Sequence, residues 1–489
     1  MTDIRSAWSA LGGDPALLTR TTTVVREGAL TARLPARELA RACVGACALA
    51  AAELGARRAG LAEVPAVRVD DGAVAAAFAS ERLLRVDGRA PVSFAPLSRL
   101  WRTADGWVRT HANYPHHRAR LLAALGGLPE DAAAVEAALA ERSAAEVEES
   151  VYAAGGLAVA LRTAEEWARH PQAVALAGQP LVARERLDDA PARVLPPVTG
   201  APLLPAAGLR VLDLTRVLAG PVATRTLALL GADVLRVDAP WLPELPDQHA
   251  DTGFGKRSAL LDLTADRAAF EELLASADVV VTGYRPGALD RFGLSPRALA
   301  ARRPGIVVAQ VSAWGPDGPW AGRRGFDSLV QVATGIAVTE GTDGQPGALP
   351  AQALDHGTGY LLAAAVLRAL TEQTRDGGSR CVRLALARTA AWLTREHPGT
   401  AARLTRERPG TPTDPGTPAD PGTPADPGTP YDVVTEPGEP YRGPEPWLTG
   451  TDSALGRLRY ARPAVSFTNG PTDWKRPCGP WGADPARWT

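Results

Sequence analysis

Strand-like and helix-like runs alternate along the middle of this chain, and this alternation limits the folds that the chain can adopt. Between residues 207 and 312, short runs rich in Val, Ile and Leu are separated by stretches with a helical spacing of apolar residues. The strand-like runs are 209–214, 233–238, 278–281 and 306–312, and the helix-like stretches are 221–232, 264–276 and 295–302. Strands that alternate with helices form a parallel sheet covered by helices on both faces. The sequence therefore predicts an α/β fold, with a doubly wound, mostly parallel sheet domain over 205–400 whose ligands bind beyond the carboxyl ends of the strands.

The rest of the chain divides into three segments of different composition, as expected because 489 residues are too many for one hydrophobic core. Residues 1–200 are rich in Ala and Leu with a few strand-like pieces, which indicates a small α+β domain placed N-terminally. Residues 401–430 form a segment rich in Pro and Gly in which 411–430 repeat the unit D-P-G-T-P, and this is typical of a linker because Pro and Gly disfavour a packed core. Residues 431–489 contain several tryptophans, so we expect this tail to dock on a folded domain.

The composition argues against several classes of protein. The formal net charge is −1, which gives no overall field for binding nucleic acid or a membrane surface. The sequence has no run of about eighteen apolar residues and no N-terminal signal pattern, so we expect no transmembrane helix. Four scattered cysteines do not make a disulfide framework. These features predict a cytoplasmic protein.

Two nucleotide-binding patterns are incomplete. The turn after the first strand, 215–221, lacks the glycines of G-x-G-x-x-G that let a dinucleotide approach the backbone. The stretch 253–258, GFGKRS, lacks the first glycine of a phosphate loop and places Arg257 between Lys256 and Ser258. Lys256 is one of two lysines in the chain. This pair of cations either binds a ligand phosphate or lies in a solvated loop.

Three of the seven histidines lie in the stretch HANYPHH, at His111, His116 and His117. Imidazoles can bind a metal ion, but no carboxylate or cysteine stands among them, and metal sites usually combine such ligands. We therefore predict no metal site and interpret the stretch as the rim of a pocket or a surface loop.

A single carboxylate, Asp355, precedes the long apolar run 359–370. Aspartate is a favoured N-cap of a helix, which is one interpretation. The other is a nucleophile, because acyl transfer can proceed through a covalent aspartyl intermediate. Gly357 and Gly359 would then leave room for a substrate close to the backbone.

Five stretches, in this order along the chain, resemble segments of the family III CoA-transferases. They are VLDLTRVLAGPVATRTLALLGADVLRVD (211–238), GKRSALLDL (255–263), ADVVVTGYRPGALDRFGL (277–294), VSAWGPDGPWAGRRGFDSLVQ (311–331) and LDHGTGYLLAAAVLRAL (354–370). The resemblance implies a Rossmann-like sheet domain and transfer of CoA from an acyl-CoA donor to a carboxylic acid acceptor. It implies coenzyme A as a co-substrate, no permanently bound cofactor, and a homodimer, since the family works as interlocked dimers.

The resemblance also assigns roles to single residues. Asp355, in DHGTG, matches the family's nucleophilic aspartate in D-x-x-[ST]-G, which implies an aspartyl anhydride followed by an aspartyl-CoA thioester. The implied contacts with CoA are Lys256, Arg257, Tyr284 and Arg324. Leu218 stands at a substrate-contacting position of the family, and with Gly357 and Gly359 it completes the predicted substrate contacts.

Two other functions remain as alternatives. The α-methylacyl-CoA racemases of the family pair the aspartate with a histidine in a G-H-D segment, whereas this chain has Gly325, Phe326 and Asp327 there. His356 is adjacent to Asp355 and is not expected to face it across a substrate. The second alternative is a catalytically idle CoA-binding protein, because the order of the segments is rearranged.

The rearrangement places small-domain features before the sheet domain. WRTADGWVRTHANYPHH (101–117) resembles a family segment that ordinarily follows the aspartate. A faint internal repeat accompanies it, in which 38–54 with 66–71 echoes 356–370 with 381–386. The first copy has no aspartate at the equivalent position. We therefore interpret the chain as one catalytic half and one degenerate half.

Overall fold

The computed structural model describes residues 2–395 and 431–489, and the predicted linker 401–430 lies outside the described residues. The helices are α1 (Ile4–Ala10), α2 (Ala36–Ala59), α3 (Asp71–Ala77), α4 (Ser80–Leu83), α5 (Pro115–Ala124), α6 (Ala132–Ala140), α7 (Ala144–Ala153), α8 (Ala164–Arg169), α9 (Pro171–Ala177), α10 (Ala219–Leu229), α11 (Pro246–Thr252), α12 (Arg267–Ala275), α13 (Pro296–Arg302), α14 (Asp327–Ala333), α15 (Ile336–Thr339), α16 (Ala353–Asp376) and α17 (Leu386–Thr394). The strands are β1 (Thr21–Val25), β2 (Val67–Asp70), β3 (Arg85–Val86), β4 (Leu100–Arg102), β5 (Trp107–Thr110), β6 (Ala158–Ala160), β7 (Ala183–Arg186), β8 (Arg210–Leu214), β9 (Asp233–Asp238), β10 (Arg257–Leu260), β11 (Val279–Thr282), β12 (Val307–Ser312), β13 (Arg380–Ala385), β14 (Val434–Pro437), β15 (Leu448–Ser453) and β16 (Gly456–Ala461).

The alternation of strands and helices builds a seven-stranded sheet with the order β10-β9-β8-β11-β12-β13-β7. The first six strands are parallel to their neighbours, and β7 pairs antiparallel with β13 at the edge. Val279 of β11, for example, pairs with Val211 of β8 and with Val307 of β12. The four predicted strands lie within one residue of their predicted bounds. The prediction of a mixed α/β fold with a mostly parallel sheet is thus confirmed.

Successive residues of these strands face opposite sides of the sheet and pack into two apolar cores. Val211 and Val279 belong to the core that includes α10 and α16, whereas Leu212 and Val280 belong to the core that includes α12 and α13. Burial on both faces explains why the strands read as continuous apolar runs rather than as an alternating pattern.

The first 200 residues contribute two parts. Strands β4, β5 and β6 form an antiparallel sheet that shares a core of its own with α5, α6 and α7. Strand β1 is parallel to β2 and β14, and helix α2, between β1 and β2, packs along α16. Leu49 of α2 and Leu361 of α16 lie in the same buried core, so this second part is continuous with the sheet domain.

Helices α2 and α16 are alike in length and in the way they end. Each has 24 residues and is followed by a glycine with a positive φ, 65° at Gly60 and 64° at Gly377. Glycine adopts such a φ without steric cost, so both helices end there. Glu38 is the third residue of α2, as Asp355 is of α16. The likeness supports the partial repeat, with a glutamate at the equivalent of Asp355.

Helix α2 is also long and apolar enough to cross a membrane by length and composition. In the structure, however, 94% of its most apolar 18-residue window is buried inside the protein. Packing against α16 accounts for this apolar surface, since the central helix of a core is apolar on all sides.

Residues 431–489 lie along other parts of the chain. Strand β14 extends the sheet of β1 and β2, while β16 pairs with β15 on one side and with β3 on the other. The indole N–H of Trp481 donates to Asp238 Oδ2 at 2.9 Å, and that of Trp488 donates to the carbonyl oxygen of Leu273 at 2.9 Å. The tail therefore contacts both the N-terminal part and the seven-stranded sheet.

Candidate active site

A cavity of about 450 Å³ opens at the carboxyl ends of the parallel strands. Its wall includes Leu214 at the end of β8, Asp238 at the end of β9 and Ser312 at the end of β12. Tyr114, from the N-terminal part, supplies another side of the wall. The cavity therefore lies where a sheet of this kind binds ligands, and two parts of one chain build it.

Asp355 lines this cavity and is 6% exposed. It is the third residue of α16, whose N-cap is Gln352, so Asp355 is not the N-cap. Asp327 performs the capping instead, because its Oδ2 accepts the backbone N–H of Asp355 at 2.9 Å. The amide of Gln331 donates to the other oxygen of Asp327 and holds that carboxylate in place. The side chain of Asp355 is thereby left available to a ligand.

The surroundings of Asp355 make its carboxylate unusually basic. Burial raises its pKa well above the ordinary value, and the nearby carboxylates of Asp327 and Glu81 raise it further. Burial also raises the pKa of Asp327 to about 6. Burial alone would raise the pKa of Glu81, but a 3.0 Å hydrogen bond to His356 and the charge of that ring bring it below its ordinary value. A more basic carboxylate is a stronger nucleophile once it is ionised.

Lys256 and Arg257 are buried, so the interpretation of this pair as a solvated loop is wrong. Lys256 is 3% exposed, and its Nζ donates to Asp213 Oδ2 at 2.9 Å and to the carbonyl oxygen of Pro221 at 3.0 Å. Burial lowers its pKa to about 8 in spite of Asp213. Arg257 begins β10 and forms an ion pair with Asp233 at 2.8 Å. Neither side chain lines the cavity, and their contact with CoA stays a prediction that this placement does not favour.

Tyr284, Arg324 and Leu218 line the cavity together with the predicted nucleophile. Burial raises the pKa of Tyr284 to about 12. Burial lowers the pKa of Arg324, and the positive charges of Arg285 and Arg120 lower it further. Arg285 and Arg324 lie in the same wall of the cavity and repel each other, so an anion bound between them would be stabilised.

Gly357 and Gly359 lie inside α16 and face neighbouring helices. A Cβ at Gly359 would lie 2.6 Å from the carbonyl oxygen of Ala219 in α10, so only glycine lets the two helices approach this closely. A Cβ at Gly357 would lie 3.3 Å from Sγ of Cys43 in α2. The contacts of these glycines with a substrate stay a prediction, and close helix packing is a second explanation for both residues.

The structure brings His116 and His117 into the cavity wall and places His111 behind them. The ring of His111 stacks on Phe326 with 3.8 Å between ring centroids. Within residues 2–395 and 431–489, no group of three or more His, Cys, Asp or Glu side chains is arranged to hold a metal ion. The histidines thus form part of a pocket wall, which is one of the two interpretations that the sequence left open.

Four further side chains line the wall that were not predicted from the sequence, namely Arg216, Trp241, Arg285 and Arg291. Trp241 is 66% exposed. It follows the end of β9, which is a signal that could have found it, since residues after parallel strands face the ligand. The arginines carry no such signal, because arginine is common throughout this chain.

Residues 206–421 match the family described as CoA-transferase family III. Similar proteins include the "Probable fatty acyl-CoA transferase Rv3272" of Mycobacterium tuberculosis, 35% identical over 211 residues, which cover 40% of this chain and 54% of that protein. The "Acetyl-coenzyme A transferase nodX" of Hypoxylon pulicicidum is 35% identical over 209 residues, covering 41% of this chain and 35% of that protein. The "Formyl-CoA:oxalate CoA-transferase" of Streptomyces avermitilis is 35% identical over 202 residues, covering 38% and 49%.

The segment that is similar to CoA-transferases contains the parallel strands of the sheet and the buried aspartate in the cavity. Residues 206–421 of the chain are similar to the family III CoA-transferases. The matched residues span between about a third and about half of the length of these relatives.

Proposed function

We propose that the protein transfers CoA from an acyl-CoA donor to a carboxylic acid acceptor, with Asp355 as the nucleophile. The observation that carries this proposal is a basic, buried carboxylate in the cavity of a segment that matches a CoA-transferase family. Burial strengthens the interactions of the nucleophile, and the N-terminus of α16 favours its anionic form.

The proposed reaction begins when an oxygen of ionised Asp355 attacks the thioester carbonyl carbon. The C–S bond breaks, CoA leaves as the thiolate, and an acyl-aspartyl anhydride remains. The thiolate then attacks the aspartyl carbonyl carbon, which releases the donor acid as a carboxylate and leaves an aspartyl-CoA thioester. The acceptor carboxylate attacks the aspartyl carbonyl carbon of this thioester, the C–S bond breaks, CoA leaves again as the thiolate, and a second anhydride remains. Attack of the thiolate on the acceptor's acyl carbon gives the new acyl-CoA and restores the Asp355 carboxylate.

The cationic wall supports CoA as the co-substrate, because CoA carries a pyrophosphate and a 3′-phosphate. Arg285, Arg291 and Arg324 line the cavity and form no ion pair with a carboxylate among the described residues. Their positive charges are therefore available to phosphate groups. The exposed ring of Trp241 offers a surface on which a purine base can stack.

The racemase alternative needs a base that faces Asp355 across the substrate. Phe326 stands where the racemases have that histidine, and His117 lies beside it in the same cavity, 5.9 Å away between ring centroids. Burial and the neighbouring rings of His116 and His111 lower the pKa of His117 to about 2. Such a weak base favours transfer over racemisation.

The experiment that tests the function is to trap the covalent intermediate. The protein is incubated with a panel of acyl-CoAs, quenched with hydroxylamine, digested and mapped by peptide mass. We expect a hydroxamate on Asp355, which is absent in Asp355→Asn and present in the control Asp376→Asn at the other end of the same helix. Racemisation of a 2-methylacyl-CoA without modification would favour the racemase. Tight CoA binding without exchange of free CoA into acyl-CoA would favour the idle binding protein.

The proposal extends to the architecture. Residues 205–400 would form a doubly wound, Rossmann-like domain, and residues 1–200 would contain the family's small domain in an N-terminal position. The parallel strand order β10-β9-β8-β11-β12-β13 supports the first part, because it is the order 3-2-1-4-5-6 typical of such domains. The separate core around β4, β5 and β6 supports the second.

We further propose that the protein works in the cytoplasm as a homodimer on small-molecule substrates. The dimer rests on the resemblance to the family, and a mass in solution of about twice the 51.1 kDa chain is the result expected from light scattering. The net charge of −1 supports the absence of nucleic acid or membrane partners.

A further inference from the structure

His117 is a buried polar side chain in the cavity wall that the proposed reaction does not use. It lies in the first turn of α5 and is 4% exposed. Aromatic rings surround it, with centroid distances of 4.1 Å to His116, 5.6 Å to Tyr114 and 5.9 Å to Phe326. The environment of this imidazole is therefore built by packing rather than by ion pairs.

Neither ring nitrogen of His117 has a hydrogen-bond partner in the parts of the chain that the structure describes. The Nδ1 atom of His111, a ring that is also 4% exposed, is unpartnered in the same residues. Buried polar atoms of this kind cost stability unless something pairs with them. Because His117 lines the cavity, a bound ligand can supply the partner.

His117 is also connected to the nucleophile through short contacts. Its ring packs edge-on against Phe326, the residue that directly precedes α14. The next residue, Asp327, accepts the backbone N–H of Asp355 at 2.9 Å. His117, Phe326 and Asp355 line the same cavity, so a ligand group that pairs with His117 lies in the cavity of the proposed nucleophile.

The chemistry of the ring limits what this group can be. Burial lowers the pKa of His117 to about 2 and that of His111 to about 3, so both rings are neutral at physiological pH. A neutral imidazole presents one N–H donor and one acceptor nitrogen. A carbonyl oxygen pairs with the donor alone, whereas a hydroxyl group can accept from one nitrogen and donate to another.

We infer that His117 binds a hydroxyl group of the transferred acid, and that the protein prefers hydroxyacyl-CoA substrates to alkyl ones. This inference rests on the proposed function, because it names the substrate class of the same cavity. His111 holds Phe326 by stacking and so positions the wall against which His117 packs. The preference arises because an alkyl substrate leaves the nitrogens of His117 buried without partners.

The test uses matched pairs of substrates, 3-hydroxybutyryl-CoA with butyryl-CoA and 2-hydroxypropionyl-CoA with propionyl-CoA. We expect kcat/KM of the full-length protein to favour one hydroxyl-bearing member roughly tenfold or more, which is the effect of pairing one or two buried polar atoms. His117→Phe keeps the aromatic packing and removes both nitrogens, so the preference for the hydroxyl-bearing member should disappear. His117→Asn keeps a donor and an acceptor and should restore part of the preference.

His170→Phe is the matched control, since His170 is an aromatic-packed histidine that does not line the cavity. It should keep the wild-type preference. The inference is overturned if the wild-type protein does not distinguish the members of either pair, or if His117→Phe retains the preference. If Asp355 is modified by no acyl-CoA, the proposed function fails by itself. Calorimetric affinities for the same pairs then decide the role of His117 separately.

Discussion

Replacing Asp355 by asparagine should make the protein more stable at neutral pH, although it removes the proposed nucleophile. The buried carboxylate has a raised pKa, and its nearest described carboxylate, Asp327, experiences the same burial. Asparagine has nearly the same shape and carries no charge. The substitution therefore removes the cost of either ionising the group in the cavity or keeping it protonated.

The pKa of Asp327 gives the scale of this cost. Burial raises it from 3.8 to about 6, and each unit corresponds to about 1.4 kcal/mol, so ionising a carboxyl in this environment costs roughly 3 kcal/mol. Asp355 is raised further. Allowing for relaxation and water in the open cavity, we expect Asp355→Asn to raise the free energy of unfolding by about 2 kcal/mol at pH 8.

The pH dependence distinguishes this cause from a general packing effect. The pKa of Asp355 is higher in the folded state than its value of 3.8 in the unfolded state. Below pH 3.8 the group is protonated in both states and costs the folded protein nothing, and the folded protein loses stability as the pH rises from 3.8 to the pKa of the folded state. The difference in Tm between Asp355→Asn and the wild type should therefore be small near pH 4, widen as the pH rises, and level off above the folded pKa.

Thermal unfolding followed by fluorescence between pH 4 and 8.5 provides the measurement. Asp376→Asn is the control, because its carboxylate is 62% exposed at the end of the same helix. Its Tm should stay close to that of the wild type at every pH. A variant Asp355→Asn that is less stable than the wild type at pH 8, or whose difference in Tm does not depend on pH, would refute the reasoning.

Three further predictions concern residues around the site. Gly359→Ala should destabilise the protein by about 1–3 kcal/mol in urea unfolding, because its Cβ would meet a backbone oxygen at 2.6 Å. Gly357→Ala should stay within about 1 kcal/mol of the wild type. Equal losses of stability in the two variants would contradict the close packing of α16 on α10 as the reason for Gly359. Lys256→Met should lower the free energy of unfolding by about 3–5 kcal/mol, because Asp213 is left buried without its cation. A variant that is as stable as the wild type but binds CoA more weakly would instead favour the predicted contact between Lys256 and CoA. Trp241→Ala should weaken CoA binding in calorimetry by about 1–2 kcal/mol without changing Tm, and unchanged affinity would exclude base stacking there.

The strands of the sheet could be predicted because their apolar runs are local. Strand β9 coincides with the predicted run 233–238, and β8 begins one residue after its predicted start. Strand β7 could not be predicted in this way. Its residues alternate between half-buried and exposed, and its place at the sheet edge is determined by antiparallel pairing with β13, almost 200 residues later.

Asp355 could be singled out from the sequence because the resemblance of DHGTG to a family motif is a local signal, and the structure places this residue in the cavity. The role of His117 could not be predicted, since it reaches the cavity through tertiary contacts with Phe326, more than 200 residues away. The burial of Lys256 could not be predicted for the same reason. Its partner Asp213 lies 43 residues earlier, and the sequence does not show that the two meet inside the core.

The joint construction of the cavity by two parts of one chain has a consequence for how the site responds to dilution. Tyr114, His116 and His117 come from the N-terminal part, while Asp355 comes from α16, and the helix pair α2 and α16 joins the two inside a common core. Because both parts belong to one covalent chain, the effective concentration of one part relative to the other does not depend on the concentration of the protein. Specific activity should therefore remain constant as the protein is diluted below the dissociation constant of the proposed homodimer, because these walls of the cavity come from one chain.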